Sequence, residues 1–575
     1  MKPMNLGDGA DGSPIVLEDG ERLTHMHVIG ASGSGKSKFL EHMMRQDIAH
    51  RQGFCLIDPH GTLYTEVLNH CAHKVHNNDI VLLDLSKPDH IIGFNPFRKA
   101  PNGDVSAQVE CRIKAIMHAW GVENADETPT LERILRLVFT TLLDLNLPFH
   151  AAQYLIDFNS GEFRSSLIQQ IASPLIRREW EELEKLKASD WRSEFLSTKN
   201  RLFRLLASDT LTRFFNSTSI DLAEIIDQGK ILLVNLGRSD ELSDGSTRVF
   251  GSLLVNEFFE VALRRRDVPG KPLKPYYLYM DEFQNFVGMD IASMLDQVRK
   301  YRLFTVLAHQ RFGQLDDDLR DAVLTNCGIK AVFGGLEFNT ARMMAQEMFV
   351  GQLDPMRIKV AIYQTKFWPE YGRDKVYTRS RSSGRSIGRG ENSTSGDSSA
   401  SAHGQFFQPC DWFANSLSST SITAVSGTSA ASGSHWNETD FDGAAHGVAD
   451  VPILIPVPFK ELSSLQYFTP EEQLLEMTGA LKRQFERHCF IKIQHQDTQP
   501  LRVPFIKTGT TPSEARMRYI QKKLLAEGAR TKADVDEAIA KEDAALRRTI
   551  SNKSAKKDKA NSEDPPPWSE LLGRE

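Results

Sequence analysis

The chain has 575 residues, room for about two to four domains around a large core, and its 40% apolar and 25% charged residues describe an ordinary globular protein. A net charge of −6 and a pI near 6.3 argue against a surface that is basic throughout, while leaving open a basic channel inside an acidic ring. Six cysteines without any CxxC spacing exclude a disulfide framework or zinc module and fit a reducing cytoplasm, and no apolar run approaches the roughly 18 residues of a membrane span.

Met1 to Asp19 is polar, acidic and glycine-rich, unlike a signal peptide. Short β-like runs then recur at 25–29, 54–57, 80–84, 231–235, 276–280, 303–308 and 329–333, with helical patterns between most of them. Such alternation predicts an α/β fold with a mainly parallel sheet covered on both faces. Between about 104 and 227 the strand signal vanishes. Leu131 to Leu145, Ile176 to Trp180 and Trp191 to Arg204 carry apolar residues at helical spacing, which predicts an all-α insertion between two strands of the core.

From about Thr378 to Thr439 the composition shifts to Ser, Gly, Thr, Asn and Ala, with Arg379, Arg381, Arg385 and Arg389 at its start. Two readings stand: a linker without fixed structure, or a long Ser/Thr-rich β-arm in which Val376-Tyr377 pairs with Ser421 to Val425. Val451 to Phe459 returns to compact sequence, a helix follows over about Pro470 to Glu486, and Phe490 to Ile493 with Val503 to Phe505 reads as a hairpin. Polar helices over about 513–527 and 531–549 precede a Lys-rich run. The tail carries Trp568 and Leu571-Leu572, which is either featureless or a docking peptide. The division expected is a core over 1–103 and 228–377, an all-α insertion over 104–227, a Ser/Gly-rich arm or linker over 378–450, a small α/β piece over 451–510 and a helical polar tail over 511–575.

Two stretches carry chemistry. Gly30-Ala31-Ser32-Gly33-Ser34-Gly35-Lys36-Ser37 is a complete phosphate-binding loop between the β-branched run His27-Val28-Ile29 and a helically spaced one. Its glycines let backbone amides converge on a polyphosphate where a Cβ would collide, and the helix starting near Lys36 aims free N–H groups at the anion. Lys36 is the expected partner of the β/γ-phosphates and the Ser37 hydroxyl the expected Mg²⁺ ligand. Tyr276-Tyr277-Leu278-Tyr279-Met280-Asp281-Glu282 is an apolar strand ending in two acids. A carboxylate at the carboxyl end of a buried strand is costly unless it faces a cation or a ligand crevice. Asp281 is therefore assigned to the metal and Glu282 to general-base work.

Further features narrow the class. Leu56-Ile57-Asp58-Pro59-His60-Gly61 closes the strand after the phosphate loop, and Leu307-Ala308-His309-Gln310 closes the one after Asp281-Glu282. Here the chain resembles the HerA/FtsK superfamily of hexameric DNA-pumping ATPases, whose recurring mark is the Asp-Pro-His-Gly after the second strand. The nearest branch resembles the coupling proteins of conjugation and type IV secretion, with their soluble HerA-like relatives. Phe94-Asn95-Pro96-Phe97, Thr128 to Glu132, Gly229 to Leu236, Asp281 to Phe286 and Ala322 to Gly328 support it, and the resemblance covers residues 20–360, with the C-terminal third in outline.

The resemblance implies a RecA-like P-loop core using ATP and Mg²⁺, with Gln310 as γ-phosphate sensor and Arg299 as a finger reaching into a neighbouring subunit's site. Arg302 and Arg311 compete with Arg299 for that role. Asp58 is either functional or a strand-end acid satisfied by local amides, and His60 is a structural or phosphate-side residue. Membrane-bound coupling proteins begin with transmembrane helices, whereas 29 residues precede the loop here, so docking through a partner replaces anchoring in the expectation.

The leading functional reading is an ATP-driven DNA translocase, a hexameric ring that grips the DNA backbone without sequence preference. It would serve a relaxase and secretion channel, in the cytoplasm and recruited to the inner membrane by a partner. A second reading is a HerA-like ring that scaffolds or regulates a separate effector, such as a nuclease in anti-phage defence. A third keeps the motor and makes its cargo a protein.

Overall fold

The computed structural model describes residues 2–74, 79–87, 89–100, 103–122, 128–217, 220–237, 242–265, 273–288, 295–380, 394–400, 425–431, 445–506, 514–526 and 529–561. Trp568, Leu571-Leu572, Cys410, Arg381, Arg385, Arg389 and Ser421 to Ala424 lie outside them. The chain forms two compact units, one of Met1–Gly351 with Met477–Glu575, the other of Gln352–Glu476.

The first unit is built on an eleven-stranded sheet. Its strands are β1 (Met4–Asp8), β2 (Pro14–Leu17), β3 (His25–Ile29), β4 (Phe54–Asp58) and β5 (Ile80–Asp84). After the short β6 (His90–Ile91), which lies outside this sheet, come β7 (Ile231–Asn235), β8 (Tyr276–Met280), β9 (Leu303–His309) and β10 (Cys327–Phe333). Seven of them, in the order β10-β3-β9-β8-β4-β7-β5, run parallel. Every residue of β3, β4, β7, β8 and β9 is buried, as expected for strands covered on both faces. Helix α1 (Lys36–His50) follows β3, and α2 (Thr62–Lys74) follows β4. Between β6 and β7 the described residues form helices joined by loops and no strand, the helices including Val105–Ala119, Pro129–Asp144, Pro174–Leu183 and Ala188–Leu206.

The second unit carries two antiparallel ribbons, β11 (Ile358–Ser380) with β14 (Ala445–Tyr467), and β12 (Thr394–Ala400) with β13 (Val425–Ala431). Val376 and Tyr377 face Ala449 and Val448, not the 421–425 stretch expected to pair with them. At 23 residues a strand, the longer ribbon runs about 75 Å.

Three expectations change at the edge of the core sheet. The N-terminal segment, read only as polar, supplies β1 and β2, with Met4 and Leu6 fully buried. The C-terminal hairpin is β15 (His488–Ile493) with β16 (Gln499–Arg502), so its second arm precedes the Val503–Phe505 stretch. That hairpin is no separate small piece. β15 pairs antiparallel with β10, Phe333 opposite Cys489, and β16 pairs with β1, giving the sheet order β2-β1-β16-β15-β10. The apolar faces of β10 and β15 meet because Ile491, Ile493 and Cys489 are buried in the same core as Ile329, Ala331 and Phe333. Beyond them, β17 (Arg530–Thr531) pairs with β6, and the helix Lys532–Asn561 follows.

Candidate active site

Strand order brings the predicted residues together. Because β9 lies between β3 and β8, its carboxyl end sits between the phosphate loop that leaves β3 and the acids that end β8. Open parallel sheets place ligand crevices at this edge.

The loop over residues 30–37 is fastened at both ends. Gly30 N–H donates to the His309 carbonyl and Ala31 N–H to the Gly334 carbonyl, while Arg487 N–H donates to the Ser34 carbonyl. Gly33 and Gly35 have φ of +75° and +107°, a region that favours glycine. At Gly35 a Cβ would also stand 2.9 Å from the Arg487 amide nitrogen, so the position is excluded to any other residue on two counts. Lys36 Nζ donates to the carbonyls of Gly30 and Ala31 at 2.5 and 3.1 Å. Burial draws its pKa below the usual lysine value, against the pull of Asp281 and Glu282.

Ser37 and Asp281 face one another, Ser37 Oγ standing 3.4 Å from Asp281 Oδ2. Burial, helped by the neighbouring Glu282 and Asp58, pushes the Asp281 carboxyl up to about 6. A cation at this point would relieve that cost, so the residues present fit Mg²⁺ held by one hydroxyl and one carboxylate, the rest of its shell coming from phosphate and water. Among the described residues there is no cluster of three or more His, Cys, Asp or Glu side chains to hold a metal by protein ligands alone.

Glu282 is a left-handed residue, with φ of +48°, a conformation that costs free energy in a non-glycine residue and collects at functional sites. Its two carboxylate oxygens each accept an amide hydrogen bond, from Gln310 Nε2 at 2.6 Å and from Gln284 Nε2 at 2.7 Å. Gln310 therefore touches Glu282 of its own chain. Gln284 lies inside the Asp281 to Phe286 stretch quoted for the resemblance, but nothing in the sequence marks a role of its own.

Other residues sort differently. The Asp58 carboxylate accepts from the His60 and Tyr64 amides at 2.8 and 2.9 Å, which makes it the local cap of the turn into α2. A depression of about 420 Å³ opens beside it, lined by His60, Thr62, Glu66 and Asn235 among others. Arg299 is exposed and stands before the amino end of β9, its Nε donating to the Leu23 carbonyl at 3.0 Å. That is the opposite edge of the sheet, so Arg299 takes no part in its own chain's site. Arg302 is exposed at the same edge, and Arg311 is exposed beside Gln310.

Residues 275–356, which hold Asp281, Glu282 and Gln310, match the family described as the TraM recognition site of TraD and TraG. The chain resembles the HerA/FtsK-type coupling ATPases. The similar solved structures include the bacterial conjugative coupling protein TrwB in an unbound form, at 12% identity over 88% of this chain and 90% of that one, with a TM-score of 0.45. TrwB in complex with ADP and Mg²⁺ aligns at 16% identity over 60% and 78% of the two chains, TM-score 0.43. VirB4 of Thermoanaerobacter pseudethanolicus aligns at 13% identity over 60% and 87%, TM-score 0.41. No curated protein matches at the sequence level.

Proposed function

We propose that this chain is an ATPase of the conjugative coupling type that moves DNA through a ring of identical subunits. The observation that carries the reading is the meeting of the phosphate loop, the Ser37–Asp281 pair and the doubly held Glu282 at one sheet edge. Residues 30–37 would cradle the ATP phosphates, with Lys36 moving from the Gly30 and Ala31 carbonyls to the β/γ-phosphates. Ser37 and Asp281 would hold Mg²⁺, which neutralises phosphate charge when bound. Glu282 accepts a proton from the attacking water, and the Gln310 and Gln284 amides hold its carboxylate in the geometry that a positioned base requires. Gln310, fixed to Glu282, would report the γ-phosphate to the base. Arg299 would complete the site of a neighbouring subunit, for which an exposed position away from its own site is suitable.

DNA is the cargo proposed, held through its backbone. The match over 275–356 supports a TraM-type partner, and with it transfer in place of an effector scaffold. The five described cysteines are all free, in keeping with a cytoplasmic location, and recruitment to the inner membrane through a partner belongs to the same proposal. Among the described residues no helix is long and apolar enough to cross a membrane. The test is DNA binding and DNA-stimulated hydrolysis across salt. Affinity should fall by orders of magnitude between about 50 and 200 mM salt and change little with sequence. Binding that ignores salt or follows sequence would replace the motor by a reader.

A further inference from the structure

Behind Gln310 lies a buried pair that the mechanism above does not use. His27 on β3 and His309 on β9 are both fully buried, with their Nε2 atoms 2.7 Å apart and their rings stacked at 5.0 Å. Phe312 stacks on His27 at 5.8 Å, and Phe283, the residue after Glu282, meets His309 edge-on at 5.2 Å. His309 Nδ1 lies 3.2 Å from the Arg311 carbonyl, on the far side of Gln310.

These contacts assign the protons. A carbonyl only accepts, so His309 Nδ1 carries hydrogen, and in a neutral ring its Nε2 is then the acceptor. His27 Nε2 must therefore donate, leaving His27 Nδ1 bare, in agreement with its having no hydrogen-bond partner. Burial holds both rings far below the ordinary histidine range, so the arrangement of two neutral rings persists at neutral pH.

We infer that His309 is a positioning residue for Gln310, locked in one tautomer by His27, and that the pair ties the strand feeding the phosphate loop to the strand feeding the sensor. Closing the turn from His309 onto the Arg311 carbonyl fixes the backbone around Gln310. That holds the Gln310 amide against Glu282. The inference rests on the assignment of Glu282 as base with Gln310 as its partner.

Substitution at three positions tests it, with hydrolysis, binding of a non-hydrolysable ATP analogue and thermal midpoint measured for each. His27→Phe and His309→Phe keep aromatic packing and remove the link, and each should lower kcat about tenfold or more while leaving analogue affinity within about twofold. His27→Gln places an amide donor where Nε2 stood and should recover most of the rate. His309→Phe combined with Gln310→Ala should be no slower than Gln310→Ala alone, because both lesions act through one contact. A normal rate in His309→Phe beside a slow Gln310→Ala overturns the inference and leaves the site assignment standing. Additive losses, or no recovery in His27→Gln, overturn it as well. A normal rate in Gln310→Ala overturns the underlying assignment instead.

Discussion

The parallel core and the long β11–β14 ribbon use the same apolar strand chemistry to opposite effect. In β3, β4, β7, β8 and β9 the residues are mostly apolar and every one is buried, on both faces of the sheet. In the ribbon, Phe367 is 63% exposed, Trp368 68% and Tyr371 84%, and Phe367 and Trp368 point to opposite faces as successive strand residues must. An isolated two-stranded ribbon is marginal in water. Its edges are blunted, because Pro369 faces Pro456, and Pro458 follows two residues on. A proline fits a strand where its missing N–H falls outside the ladder, so these positions discourage further strand pairing. Chemistry belongs to the region that supplies its own burial, where a carboxylate such as Asp281 can be held away from water.

The sharpest way to break this contrast is at Lys36. Lys36→Ala should abolish measurable hydrolysis and weaken ATP binding together, since one phosphate-held charge is lost; calorimetric titration and phosphate release measure the two. Turnover near the parent rate would place the site elsewhere. Arg299→Ala tests whether a second copy completes it, with normal binding, slow hydrolysis and retained assembly expected. Mixing Arg299→Ala with Lys36→Ala should partly restore activity, because some interfaces then pair an intact loop with an intact arginine. Full activity in Arg299→Ala passes the role to Arg302 or Arg311.

A smaller effect concerns stability. The Asp281 carboxyl sits at about 6, above its unfolded value, so the folded chain holds the extra proton between those two values. Stability from this group is therefore present at low pH and lost as pH rises through about 6. In Mg²⁺-free buffer, Asp281→Asn should stabilise the fold above pH 6, by up to on the order of 3 kcal/mol and with a higher thermal midpoint, and have no such effect near pH 4. An equal shift at both pH values would contradict the burial account. The smallest effect should come from the ribbon. Replacing residues 363–462 by a short turn should leave basal hydrolysis within about twofold, since these residues belong to the second compact unit and the candidate site to the first. A large loss would make the ribbon part of the site.

How much was readable in the sequence follows the same division. The parallel strands announce themselves because burial on both faces demands unbroken apolar runs such as Ile231 to Val234. The phosphate loop and Asp281-Glu282 are local patterns, and local patterns survive without a structure. Gln310 needed the family resemblance, and its contact with Glu282 needed the order β3-β9-β8. β1 and β16 were missed because Met4-Asn5-Leu6-Gly7-Asp8 and Gln499-Pro500-Leu501-Arg502 are short and half polar, and their register comes from pairing with one another across most of the chain. The His27–His309 pair is likewise invisible in sequence, since its members are 282 residues apart. Arg487, whose backbone braces the phosphate loop at Ser34, gave no sequence signal at all.

The central claim is that Glu282, held by Gln310 and Gln284, is the base of an ATP hydrolase. Glu282→Gln keeps the size of the side chain and removes its basicity, so one measurement pairs ATP binding with turnover at saturating ATP and Mg²⁺. The account predicts binding equal to the parent and turnover slower by at least about a hundredfold. Turnover near the parent rate, with binding intact, would contradict it.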